Sequence, residues 1–173
     1  QVLDSALGAM RGDDQHVLCT YKPCDVLNTP SCRGCEAGGK PSTCGRVYKD
    51  GVVWMPTNDH MWTRELALYQ TPQAEGGCQG CVFWLACFGS CPGSGIDTDW
   101  RNRSDQCEIM KAVFQEAERR LLAAGTTPVS RLPTRQAVEQ QALVILGRGE
   151  RLNVSALVQP PRCGPSSRTS PPA

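Results

Sequence analysis

Four cysteines, Cys78, Cys81, Cys87 and Cys91, fall within fourteen residues, in the stretch GGCQGCVFWLACFGSCPGSG. A run this dense leaves two choices. The thiols pair as disulfides, or they converge as thiolates on metal. Cysteine is in excess along the whole chain: the 11 are Cys19, Cys24, Cys32, Cys35, Cys44, Cys78, Cys81, Cys87, Cys91, Cys107 and Cys163. The count is odd, and two Cys-x2-Cys pairs occur. The opening QVLDSALGAMRGDDQ has no basic region ahead of a long apolar one, as a secretory signal requires. These facts favour metal ligation in a reducing, cytoplasmic compartment over a secreted disulfide scaffold.

The totals narrow the partners. A chain of 173 residues suits one domain with tails and a modest core. Its 18 basic and 17 acidic residues nearly cancel. No basic field is expected to hold nucleic acid or an anionic membrane surface. No apolar stretch approaches the ~20 residues of a membrane span. The first residue is Gln and not Met, as expected of a piece of a longer or processed chain.

Residues 16–45 read as cysteine-rich loop. The segment GRVYKDGVVWM predicts a β-hairpin turning at Asp50-Gly51. TNDHMWTRELALYQ predicts a helix capped by Thr57 or Asn58. Residues 71–106 read again as loop. DQCEIMKAVFQEAERRLLAAG predicts a helix with Asp105 as N-cap and Glu108 completing a capping box. Met110, Val113, Phe114, Ala117 and Leu121 form its apolar stripe, and Gly125 closes it. A further helix is expected over TRQAVEQQALVILG, capped by Thr134 and stopped by Gly147. From Asn153 the Pro- and Ser-rich sequence reads as a disordered tail, with Cys163 a bystander. Trp54, Trp62, Trp84 and Trp100 read as core or cluster shielding. The charges of DTDWRNRSD read as a solvated loop.

A Cys-x2-Cys turn brings two thiolates to one point, with backbone N–H groups aimed at the sulfurs. Iron–sulfur clusters take four thiolates and gain from such hydrogen bonds. Cys107 is expected in a first helical turn, where the dipole favours negative charge. In bacterial ferredoxins the last Cys of a run ending Cys-x3-Cys-Pro serves the other of two clusters. By that logic Cys78, Cys81, Cys87 and Cys107 hold one cluster. Cys91 reaches across to a second, with cysteines from the 19–44 region.

The spacing Cys-x2-Cys-x5-Cys-x3-Cys, a gap, then Cys resembles the SPASM domain, across roughly residues 32–125. That domain is the C-terminal extension of many radical S-adenosylmethionine (SAM) enzymes that modify peptides and proteins. CQGCVFWLACFGSCPG and the helix opening at DQCEIM carry the likeness. The resemblance implies two [4Fe-4S] clusters, and a role in binding the peptide substrate and relaying an electron. It also implies a radical SAM barrel as partner, in the same natural chain or another. The barrel's Cys-x3-Cys-x2-Cys motif is absent from these 173 residues, so this chain alone could not cleave SAM.

The family's upstream pattern, Cys then Gly-x4-Cys, fits in two registers. One is Cys24 with Gly39-x4-Cys44, through a segment that Pro41 makes a poor strand. The preferred one places the turn at Gly51, with Cys44 opening the hairpin and Cys35 or Cys32 before it. Pro56 then stands where a Cys is expected. Asp59 or His60 would replace that ligand, or one iron would stay open. Cys19, Cys24, Cys32 and Cys35 also fit a separate four-thiolate zinc site.

The expected fold is α+β: a small, irregular metal-cluster domain with a β-hairpin, cysteine-rich loops and two to three helices. Residues 1–18 would connect, 19–125 hold the clusters, 126–152 add a helical extension, and 153–173 trail. The expected function is the auxiliary-cluster domain of a radical SAM maturase. A ferredoxin-like electron carrier and a zinc-dependent interaction module are the alternatives.

Overall fold

The computed structural model describes residues 2–13, 34–35, 41–42, 63–91, 94–99, 101–150 and 152–158. Among them helix dominates, and strand is confined to one short antiparallel pair. The expected hairpin over 46–54 lies outside the described residues.

The longest element follows from its apolar spacing. Helix α4, Cys107–Ala123, buries Met110, Phe114, Ala117 and Leu121, the stripe that a 3.6-residue period sets on one face. It closes as expected at Gly125, whose N–H reaches Leu122 O at 3.0 Å while Thr126 N–H reaches Leu121 O at 2.8 Å. Its start differs from the sequence reading. The helix begins two residues after Asp105, and its first turn has no capping side chain at Gln106. Ser104 serves in place of Asp105: its hydroxyl accepts the Gln106 N–H at 3.1 Å, and its carbonyl accepts the Cys107 N–H at 3.1 Å. Glu108 turns outward to Lys111 Nζ at 3.0 Å and does not close a capping box.

Helix α1, Val2–Arg11, lays the fully buried Ala6, Ala9 and Met10 chiefly against α4. Two small alanines at that seam allow close approach of the helices. Strands β1, Gly34–Cys35, and β2, Pro41–Ser42, pair antiparallel, with Gly34 opposite Ser42 and Cys35 opposite Pro41. Pro41 therefore does sit in a strand, in a two-residue ladder where one missing N–H costs little.

Helix α2, Thr63–Gln70, is the described part of the helix expected from Asn58 onward. Helix α3, Trp84–Cys87, is a single turn within the cysteine run. Helix α5, Arg135–Gly147, takes Gly147 in as its last residue, and its end is set by Gly149 and Glu150, whose N–H groups reach Leu146 O and Ile145 O. Thr134 precedes it without a side-chain cap. Glu139 of α5, buried, accepts the Tyr69 hydroxyl at 3.0 Å and pairs with Arg135, which ties α5 to α2.

A 3-10 turn at Val129–Arg131 is held to α4 by Glu118, which accepts Ser130 Oγ at 2.6 Å and Arg131 Nε at 3.0 Å. Within the stretch read as a tail, helix α6, Val154–Val158, buries Val154, and Leu152 just before it is buried too. Asn153 starts it by accepting the Ala156 N–H at 2.8 Å, the Asx capping geometry. Residues 159–173, with Cys163, lie outside the described residues. Among the described residues no helix is long and apolar enough to cross a membrane.

Candidate metal centre

The cysteine run is a chain of tight turns. Cys78 N–H binds Leu68 O at 2.6 Å, anchoring the run to α2. Cys81 N–H returns to Cys78 O at 3.0 Å, and Trp84 N–H returns to Cys81 O at 3.1 Å. Each reversal folds the next thiol back toward the last. Phe83 stacks on Phe114 with ring centroids 5.6 Å apart, which seats the turn on α4 where Cys107 begins.

The result is a small hollow, part of it open to solvent. Cys78, Cys81, Cys87 and Cys107 line it together, with Phe83, Trp84, Met110, Phe114 and Lys111 in its walls. Cys91 is not among its lining residues. None of these five cysteines is in a disulfide. Among the described residues, no three His, Cys, Asp or Glu side chains meet at one point as a single-ion site. The four thiols are instead distributed around shared space. Cys35 is placed by its backbone alone, in β1. Cys19, Cys24, Cys32 and Cys44 lie outside the described residues, as do Pro56, Asp59 and His60.

Burial dominates the electrostatics of the thiols, and nearby positive groups oppose it. Burial pushes the Cys78 thiol up to about 12, and the neighbouring Cys81 adds to the rise, while Arg64 and Arg103 oppose it. Burial also pushes up Cys81 and Cys87. Two backbone N–H groups act against burial, that of Phe83 on Cys81 and that of Gly89 on Cys87. Lys111 adds positive charge near Cys81. Cys107 sits at the first residue of α4, at the positive end of the helix dipole.

Between Cys87 and Cys91 the chain takes three successive left-handed residues, Phe88 (φ 49°), Gly89 (φ 78°) and Ser90 (φ 59°). Such geometry costs roughly 1–2 kcal/mol at each non-glycine residue. Arg64, buried in α2, offsets it. Its guanidinium donates to Phe88 O at 3.4 Å, Gly89 O at 3.3 Å, Ser90 O at 3.2 Å and Asn102 O at 2.9 Å. Arg103 does similar work upstream. Its Nη1 donates to Gly77 O at 2.9 Å and to Gln73 O, so it is not part of a solvated loop. The exposed Arg101 pairs with Asp99 within that loop.

Sequence reading missed Arg64 and Arg103 as organisers of the site. Each acts on carbonyls 24 or more residues away, and no local motif marks such contacts. Trp84, read as core or shielding, stands in the wall of the hollow.

Glu65 carries a testable pH dependence. It is buried beside Arg64, 3.7 Å away. Burial pushes its carboxyl up from 4.5 to about 7 against the pull of Arg64. The folded chain thus keeps this proton longer than the unfolded chain does. The stability so gained is complete below about pH 4.5 and is lost as pH rises through 7, an effect of about 3 kcal/mol at 1.36 kcal/mol per pH unit. Glu65→Gln should abolish it. In urea titrations the wild-type stability, relative to the variant, should fall by that amount across the window. A difference that stays flat with pH would refute the assignment.

No protein-family model, curated protein or solved structure matches this chain. The functional reading therefore rests on the site's own chemistry.

Proposed function

We propose that this chain is the auxiliary iron–sulfur part of a radical SAM maturase that acts on a peptide or protein. The observation that carries the reading is the common hollow lined by Cys78, Cys81, Cys87 and Cys107. Four thiols around shared space suit a cluster of several metal atoms better than one ion, which needs its donors at a single point. The donor set fits a [4Fe-4S] cluster. Buried thiols resist ionising alone, and iron supplies the missing positive charge. The N–H groups of Phe83 and Gly89 favour the charged form of two of the thiols, and Arg64, Arg103 and Lys111 lend positive potential.

When bound, the cluster supplies an acceptor for the electron left after a radical step on the substrate. The chain's residues hold it, exclude water with Phe83, Trp84 and Phe114, and keep Cys91 off the hollow for a second cluster. For that second site, the β1–β2 ladder supports the register through Gly39. The two strands bracket residues 36–40, which contain it, with Cys44 five positions beyond Gly39. Cys24, Cys44 and Cys91 are its first candidates, with Cys35, Cys32 and Cys19 the remaining ones.

Anaerobic purification of the full chain, with iron, sulfide and zinc assays, tests the proposal. Iron and acid-labile sulfide in equal amounts are expected. Zinc without sulfide would refute it and favour the interaction module. A Cys-x3-Cys-x2-Cys motif upstream in the natural protein, or in an adjacent chain, is the expected companion.

A further inference from the structure

One cation stands at the fork between two cysteines that part ways. Cys87 lines the thiol hollow, and Cys91 does not. The chain passes between them through Phe88, Gly89 and Ser90, and the carbonyls of all three accept from Arg64, which is 3% exposed. The Ser90 carbonyl, 3.2 Å from the guanidinium, belongs to the peptide group that leads into Cys91. The Phe88 carbonyl shares its peptide group with the Gly89 N–H, which acts on Cys87. Arg64 is thus one peptide group from the Cys91 backbone and one from the Cys87 thiol. The turn lies tight on α2: a Cβ at Gly89 would be 2.3 Å from Leu68 Cδ1. The Arg64 charge also acts on Cys78, Cys91 and Cys87. Glu65, 3.7 Å away, is a weak counter-ion below neutral pH, since burial pushes its carboxyl up to about 7. A buried full charge is costly unless anions stand near it.

We propose that Arg64 is a positioning residue shared by two iron–sulfur clusters, and that its charge raises the reduction potential of both. The inference rests on the iron–sulfur reading given above. Its grip on residues 88–90 aims Cys87 at one cluster and Cys91 at the other. Reduction adds one electron, hence one negative charge, to a cluster. A fixed cation nearby, in surroundings of low dielectric, favours that state. No proton moves, because the guanidinium stays charged throughout.

The test is a redox titration of the anaerobically loaded full chain, with iron counted and each cluster followed by electron paramagnetic resonance. It is run at about pH 6, where Glu65 keeps its proton. Arg64→Gln removes the charge. Arg64→Lys keeps it but lacks the fork that spans three carbonyls. In Arg64→Gln both reduction equilibria should weaken roughly tenfold, which is about 59 mV for one electron. Arg64→Lys should restore both midpoints, while its iron content falls in both clusters together. Unmoved midpoints in Arg64→Gln, or a change of midpoint or iron confined to one cluster, would overturn this inference and leave the site reading intact. Variants that lose helix content along with iron would overturn it too, by making Arg64 a structural clamp alone. A wild-type chain that takes up no iron and sulfide would overturn both readings.

Discussion

Replacing Gly77 with alanine should leave the chain unable to form the turn that leads into its cysteine run. A Cβ added there would lie 2.0 Å from the Thr71 carbonyl oxygen and 2.4 Å from the carbonyl carbon. Both are backbone atoms, so no side chain can swing aside. Neither partner can retreat easily. Gly77 N–H is bonded to Pro72 O at 3.0 Å, its carbonyl is held by Arg103, and Thr71 O also accepts the Gln79 N–H at 3.0 Å. Overpacking of this kind costs roughly 1–3 kcal/mol where side chains can yield, and more where only backbone can. We expect a loss of over 4 kcal/mol in denaturant unfolding, on the exceptional end of single substitutions. Cys78 is the next residue, so iron loading should fall with it. A Gly77→Ala chain that unfolds at the wild-type denaturant midpoint would show that the turn is not packed as described.

The second large effect concerns the metal. Cys87→Ala removes one of the four thiols that share the hollow, and anaerobic iron and sulfide content should drop by the share of one cluster. Structural metals contribute on the order of 10 kcal/mol in small domains. The dependence should be uneven along the chain. Helices α1, α4 and α5 rest on a continuous apolar core that includes Ala9, Phe114 and Ala142. The run from Cys78 to Cys91 joins that core through Phe83, Trp84, Leu85, Ala86 and Phe88, but its backbone holds only a single helical turn among tight turns. Hydrogen exchange of the metal-free chain should therefore show lost protection over 78–91 and kept protection in α4 and α5. Cys163→Ala, in the stretch read as a tail, should change neither iron content nor exchange. Equal protection of 78–91 with and without metal would contradict the account.

Much of α4 was legible because a buried helix face forces a repeating apolar spacing, and Met110 to Leu121 keep it. The grouping of Cys78, Cys81, Cys87 and Cys107 was a direct reading of spacing, and those four thiols are the ones that line the hollow. The start of α4 was misread because Asp105 and Ser104 are both able caps. Ser104 serves because its hydroxyl is already placed by Ser94 Oγ at 2.7 Å, a contact from ten residues upstream. Arg64 was illegible for a similar reason. An arginine inside a helix usually points to solvent, and only the three-dimensional path of residues 88–90 makes it a buried clamp. Helix α6 was hidden by the proline-rich composition beyond it, although Leu152 and Val154 supply apolar anchors.

The seam between α1 and α4 also sets a timetable. Helix α1, made first among the described helices, must wait for α4, about a hundred residues on, before its alanines are covered. The helix it waits for begins with Cys107. A ribosome therefore releases three of the hollow's thiols before the fourth, and the hollow can close only once the start of α4 has followed them.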